Sequence, residues 1–162
     1  MKRLARLAAA LALAVVAGCA GTLPSPQNAV VKSAATTEGA VADAELLDTH
    51  WKVLSMAGEP VKGVEGKREP QIILKSADGR MSWSATVGCN QMSGGLKVSG
   101  DRVEFKTGIT TLMACPPPLD MLENQLGKSL LESTHWRIQG DRLELRDSGG
   151  AQTFLCEAVY LK

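Results

Sequence analysis

Residues 96–105 read LKVSGDRVEF and residues 136–145 read WRIQGDRLEL, and the two align without a gap. Each has apolar residues at alternate positions, then a Gly-Asp pair, then the same alternation again. Strict alternation puts every second side chain on one face of a strand, and a two-residue turn opening on glycine joins antiparallel strands. Both stretches are therefore expected to be hairpins. Leu96, Val98, Val103 and Phe105 face the core in the first, and Trp136, Ile138, Leu143 and Leu145 in the second. Working outward, the same texture predicts strands over 50–56, 71–75, 81–87, 96–99, 102–106, 110–114, 135–139, 142–146 and 153–161. The pair THWKV (49–53) and THWRI (134–138) predicts two strands that each open on an inward tryptophan. Two copies do not make a repeat architecture.

One helix interrupts the strands. Pro116, Pro117 and Pro118 suit a helix entry, after which Leu119, Leu122, Leu126 and Leu130 recur at helical spacing with Asp120 and Glu123 in the first turns. Its apolar face should plug one side of the sheet. Gly127 inside it costs about 1 kcal/mol relative to alanine. The fold class expected is mainly β (α+β), antiparallel, with one packed helix.

The N-terminus, MKRLARLAAALALAVVAGCAG, decides the compartment. Lys2, Arg3 and Arg6 precede a short apolar run from Leu7 to Ala17, the pattern of a secretory signal and about half the length of a membrane span. VVAGC resembles the lipobox of bacterial lipoproteins, with Val16 where leucine is usual. The resemblance implies cleavage before Cys19 and a diacylglycerol on its thiol. Ala20 stands where an inner-membrane retention signal would place aspartate, which points to the outer membrane, facing the periplasm. The resemblance makes residues 1–18 a lipoprotein signal peptide, the alternative being an ordinary signal peptide cut near Ala17 or Ala20. Residues 19–45, rich in Ala, Ser, Thr, Pro and Gly, are a lipidated flexible tether of about 25–30 Å root-mean-square span. Residues 46–162 are the folded domain.

Removing residues 1–18 takes away three bases and no acid, leaving 15 Lys+Arg against 17 Asp+Glu. That balance carries no basic stripe, so nucleic acid is not an expected partner. The partners expected are the membrane, through the lipid, and an envelope protein, with the chain itself a monomer.

Three cysteines remain in the domain: Cys89, Cys115 and Cys156. Two of three should pair in an oxidising compartment, and three pairings are possible. Cys89 in VGCN and Cys115 in MACPPP lie at strand ends in rigid contexts and are the favoured pair. Cys156 shares one parity of a strand with Phe154 and Ala158, which predicts a buried free thiol. A catalytic thiol needs a neighbouring base. The domain offers only His50 and His135, and both should point to solvent. No CxxC, HxH or HExxH spacing favours a metal, and no phosphate loop appears: GVEG and GCNQMSGG lack the Lys-Ser ending. Met92, Met113 and Met121 fall near the cysteine loops, where copper(I) would find soft ligands, although filling core space is the commoner use of methionine. Asp101, Asp141 and Asp147 are turn residues. No catalytic residue, cofactor or metal ligand is therefore assigned. Asn90 with Gly94 or Gly95 reads as turn chemistry around a Cys89 staple.

The order Trp51, GEPV (58–61), VGCNQMSGG (87–95), TTLMACP (110–116), helix, HWRIQGDRLELRDSGG (135–150) and TFLCEAVYL (153–161) resembles the META domain of HslJ-type heat-shock proteins. The motif residues are Gly88, Cys89, Asn90, Met113, Ala114, Cys115 and Pro116. The resemblance implies a small antiparallel β-barrel-like sheet with one packed helix. It also implies loose links to heat shock, antibiotic resistance, motility or secretion, with no catalytic residues. SWSATVGCN departs from the family pattern, since many relatives carry a glycine before GCN, and Trp83 is expected to mark a locally different surface. The leading expectation is a non-enzymatic lipoprotein in envelope stress or antibiotic tolerance, or in assembly. The alternatives are a small-molecule or copper-binding module and a hydrolase.

Overall fold

The structure, a computed structural model, describes residues 43–160. In chain order its elements are β1 (Thr49–Met56), β2 (Glu59–Pro60), β3 (Gln71–Ala77), β4 (Arg80–Thr86), β5 (Met92–Ser99), β6 (Arg102–Phe105), β7 (Ile109–Thr110), α1 (Leu119–Glu132), β8 (His135–Gln139), β9 (Arg142–Arg146) and β10 (Gln152–Val159). Eight strands close into an antiparallel barrel in the order β1-β3-β4-β5-β6-β8-β9-β10, with β10 returning to β1. Closure matters because an open sheet leaves a row of unpaired backbone groups at each edge. β2 and β7 are two-residue additions paired to β1 and β5.

Both Gly-Asp hairpins form. Leu96 pairs with Phe105 and Val98 with Val103, while Trp136 pairs with Leu145 and Ile138 with Leu143. Gly100 and Gly140 take φ of 59° and 60°, the positive value that the first residue of each tight turn needs. The two hairpins meet at the thinnest seam of the barrel, where only Arg102 and His135 pair directly. Two backbone bonds flank that pair, Val103 N–H to the Thr134 carbonyl at 3.0 Å and Trp136 N–H to the Asp101 carbonyl at 2.9 Å.

The interior is filled from the inward parities: Trp51, Val53, Ile72, Leu74, Leu143, Leu145 and Phe154 are buried at 1 % exposure or less. Trp136, Ile138 and Val98 depart from expectation, being only half-buried. They share a surface hollow with residues 43–47, where Ala44 and Leu47 pack on the core margin. The Trp136 indole N–H reaches the Gly100 carbonyl at 3.0 Å, which holds the ring at the seam rather than inside the barrel. Residues 43–45 lay in the tether by sequence. Asp43 and Ala44 are nevertheless tied to the second hairpin turn, Gly140 N–H donating to Asp43 Oδ1 at 2.6 Å and Ala44 N–H to the Gly140 carbonyl at 2.8 Å.

Helix α1 touches β1, β4, β6 and β10, strands spread around the ring, so it lies across the barrel rather than along one outer wall. Its buried residues are Leu119, Glu123, Leu126, Ser129 and Leu130. Leu122, expected on this face, is half-buried, and Glu123 takes the interior position instead. Gly127 leaves room for Met92, whose Sδ and Cε would lie 3.7 Å from an added Cβ. Among the described residues no helix is long and apolar enough to cross a membrane.

Two more corrections concern the strands. β5 begins at Met92 rather than 96, so Gly94 and Gly95 sit inside a strand and not in a turn. The expected strand over 110–114 shrinks to the two-residue β7, and 111–118 is loop. The physical reason is Asn90, whose side chain takes the Met113 N–H that a ladder would otherwise use.

Candidate functional site

The family-motif residues converge. Gly88 turns the chain with φ of 120° as it leaves β4, and an added Cβ there would meet the Arg68 carbonyl at 3.0 Å. Cys89 follows and is bonded to Cys115, 26 residues on, with the two Cα atoms 6.0 Å apart. The bond joins the β4–β5 loop to the loop that enters α1.

Asn90, buried at 7 % exposure, organises the rest. Its Oδ1 accepts from the Met113 N–H at 2.8 Å and the Thr111 hydroxyl at 2.9 Å. Its Nδ2 donates to the Met113 carbonyl at 3.1 Å and to Glu123 Oε2 at 2.9 Å, and lies 3.1 Å from Cys115 Sγ. The Asn90 backbone N–H donates to Glu123 Oε1. Its carbonyl accepts from the Thr86 hydroxyl at 2.6 Å, and Thr86 Oγ1 in turn accepts from Gly88 N–H at 2.9 Å. Among the described residues no buried side-chain nitrogen or oxygen lacks a partner. Asn90 is thus the hub of three segments, which is more than turn chemistry.

Glu123 is the residue that sequence reasoning missed. Both its oxygens lie 3.3 Å from Cys115 Sγ, and the disulfide sulfur, having no proton, is there a neighbour and not a donor. No described cation pairs with this carboxylate; the ion pairs run along the surface, as in Lys52–Glu69 and Arg146–Glu144. A signal did exist. Position 123 falls four after Leu119 and three before Leu126, inside the apolar stripe, where a charge is out of place unless something uses it.

The other candidates stand apart. His50 and His135 are half-buried rather than fully solvated, and neither joins the cluster that Cys89, Cys115 and Glu123 form. His135 Nδ1 is bound to the Thr134 hydroxyl at 2.9 Å. Cys156 is fully buried and unpaired, and burial alone pushes its thiol pKa far up, so it stays protonated and inert. Met92 packs beneath α1, while Met113 and Met121 are exposed. Met113 and Pro116 belong to the loop anchored at Asn90, with Ala114 between Met113 and Cys115. Cys19 lies outside the described residues. Trp83 does not mark a different surface. It is buried at 6 % exposure, its ring edge-on to Phe105 with centroids 6.0 Å apart and its indole N–H bound to the Lys106 carbonyl at 3.1 Å.

The fold and this loop cluster define a closed antiparallel barrel plugged by one helix and stapled where the helix begins. The META domain matches residues 44–159, and the chain belongs to the META domain family. Two solved structures are similar. One is the NMR structure of a protein with 26 % identity and a TM-score of 0.53, the match covering 67 % of this chain and 87 % of that one. The other, an NMR structure of a protein from Burkholderia xenovorans, has 22 % identity and a TM-score of 0.57, the match covering 72 % of this chain and 85 % of that one. The second likeness speaks to the fold alone. No curated protein matches the sequence.

Proposed function

We propose that this chain is an outer-membrane lipoprotein whose META domain works in the periplasm as a non-enzymatic interaction partner, in envelope stress or antibiotic tolerance. The observation that carries the reading is β7 and the loop that follows it. Ile109, Leu112 and Met113 are 79 %, 92 % and 57 % exposed, yet the backbone between them is pinned to Asn90 and Gln91. Large apolar side chains held out to solvent on a fixed backbone suit a docking surface, since little ordering entropy is lost on binding. The signal sequence and the lipobox-like VVAGC supply the compartment and the anchor. The alternative of a catalyst gains no support from a buried, protonated Cys156 or from a disulfide with no histidine beside it.

Two measurements test the proposal in intact cells. Radioactive palmitate should label the wild-type chain and leave Cys19→Ala unlabelled; label on the variant removes the anchor. A photo-crosslinking residue at Leu112 should capture one defined envelope protein, and the same residue at the exposed Asp78 turn should not. Equal capture at both sites, or none at either, counts against the docking surface.

A further inference from the structure

We infer that Cys89, Cys115 and Glu123 form a redox-gated site for a thiophilic divalent cation of the Zn²⁺ class, closed as a disulfide and open to the ion when reduced. The inference goes beyond the interaction reading and does not depend on it. One ligand atom from each of the three residues lies within 4.8 Å of the others. Glu123 is 9 % exposed, has no described cation partner, and sits on the stripe where an apolar residue would complete the helix face. Two hydrogen bonds from Asn90 hold the carboxylate, but they leave its buried negative charge without a counter-ion among the described residues, which is unfavourable. An incoming divalent cation supplies one.

The surroundings fit a metal shell. Asn90 holds both Glu123 oxygens and touches Cys115 Sγ, so a single residue orients two of the three ligands. The Met113 carbonyl lies 3.4 Å from Cys115 Sγ, on a loop open to solvent, leaving the fourth position to that carbonyl or to water. Both cysteines are half-buried, so an ion has a path in. Two thiolates and one carboxylate are a zinc-type set, since copper(I) prefers sulfur alone and magnesium or calcium prefers oxygen alone. With Zn–S bonds of about 2.3 Å at a tetrahedral angle the sulfurs must stand about 3.7 Å apart. Once the bond is reduced, the cysteine side chains must rotate to reach that separation from Cα atoms 6.0 Å apart.

The chemistry balances with a dithiol as reductant. The dithiol gives two electrons and two protons to the Cys89–Cys115 bond and becomes a disulfide itself, leaving two protein thiols. The cation displaces both thiol protons to solvent, forms two metal–sulfur bonds and takes Glu123 as an oxygen ligand. Reoxidation by a disulfide of the same class reverses the sequence and releases the ion.

The test uses the full chain carrying Cys19→Ala, so that only the domain thiols report. It is reduced with a dithiol and freed of it without air. Titrated with Cd²⁺, the reduced chain should develop a thiolate charge-transfer band saturating at one equivalent, and the oxidised chain none. Cys115→Ser should lose the band, and Glu123→Gln should weaken binding at least tenfold. X-ray absorption at the zinc edge of the reduced, Zn²⁺-loaded chain should show two sulfur ligands with oxygen completing the shell. The inference is overturned by an absent band, by loss of the far-ultraviolet dichroism of the fold on reduction alone, by a shell of sulfur only or oxygen only, or by a folded Glu123→Gln variant that binds as tightly as the parent.

Discussion

Asn90 uses both side-chain polar atoms and both backbone polar groups inside the protein, and its partners come from Thr86, the 111–113 loop and α1. Truncation therefore leaves several buried groups unpaired at once. Asn90→Ala should lower unfolding free energy by about 3 kcal/mol in urea titration. Asn90→Asp should do worse, because it sets a carboxylate oxygen where Nδ2 now lies 2.9 Å from Glu123 Oε2. Equal losses for the two variants would remove Glu123 from the account. Cys156 gives a second prediction. Its folded pKa is raised by burial, so its contribution to stability is complete below the pKa of an unfolded thiol, about 8.5, and is lost as pH climbs beyond it. Above that pH the unfolded chain sheds a proton that the folded chain keeps, and stability should fall by about 1.4 kcal/mol per pH unit from this group. A Cys156→Ala variant should lack that part of the slope in denaturant titrations across the alkaline range.

At the scale of elements, β5 and the 106–108 segment cross too closely for a side chain. A Cβ on Gly94 would stand 2.5 Å from the Lys106 carbonyl and 2.8 Å from the Trp83 indole nitrogen, and on Gly108 1.6 Å from the Ser93 carbonyl. Gly95 is open, its nearest neighbour the Lys106 Cβ at 3.8 Å. Gly94→Ala should cost at least 2 kcal/mol and lower the melting temperature, whereas Gly95→Ala should stay within about 0.5 kcal/mol. The same region shows what was legible in the sequence. The hairpins at 96–105 and 136–145 were, because alternation and a Gly-Asp turn are local signals and each strand pairs with its neighbour. Gly94 was not, because it answers to Trp83 on the adjacent strand. The 111–114 stretch has strand composition yet is loop, since the Asn90 side chain, more than twenty residues earlier, claims the Met113 backbone. Glu123 was legible only in part: Leu119, Leu126 and Leu130 take the buried face as their spacing predicts, Glu123 rather than Leu122 completes it, and its partner lies in another loop.

For the whole molecule, the Cys89–Cys115 bond joins the β4–β5 loop to the entry of the helix that crosses the barrel. Its closed loop implies about 3 kcal/mol of stabilisation, chiefly by restricting the unfolded chain. A domain of this size has about 5–15 kcal/mol in all, so the reduced form should remain folded at 25 °C while melting roughly 10 °C lower. Zn²⁺ acts on that reduced state alone. At a hundred times its dissociation constant it should return about 2.7 kcal/mol, bringing the reduced domain close to the oxidised one. The expected order of melting temperatures is oxidised, then reduced with Zn²⁺, then reduced without it. The doubly substituted Cys89→Ser, Cys115→Ser chain should melt with the last of these and respond to neither reductant nor metal. A reduced wild type that Zn²⁺ leaves unmoved would reduce the cluster to a staple, with Glu123 serving only as the acceptor that ties α1 to Asn90.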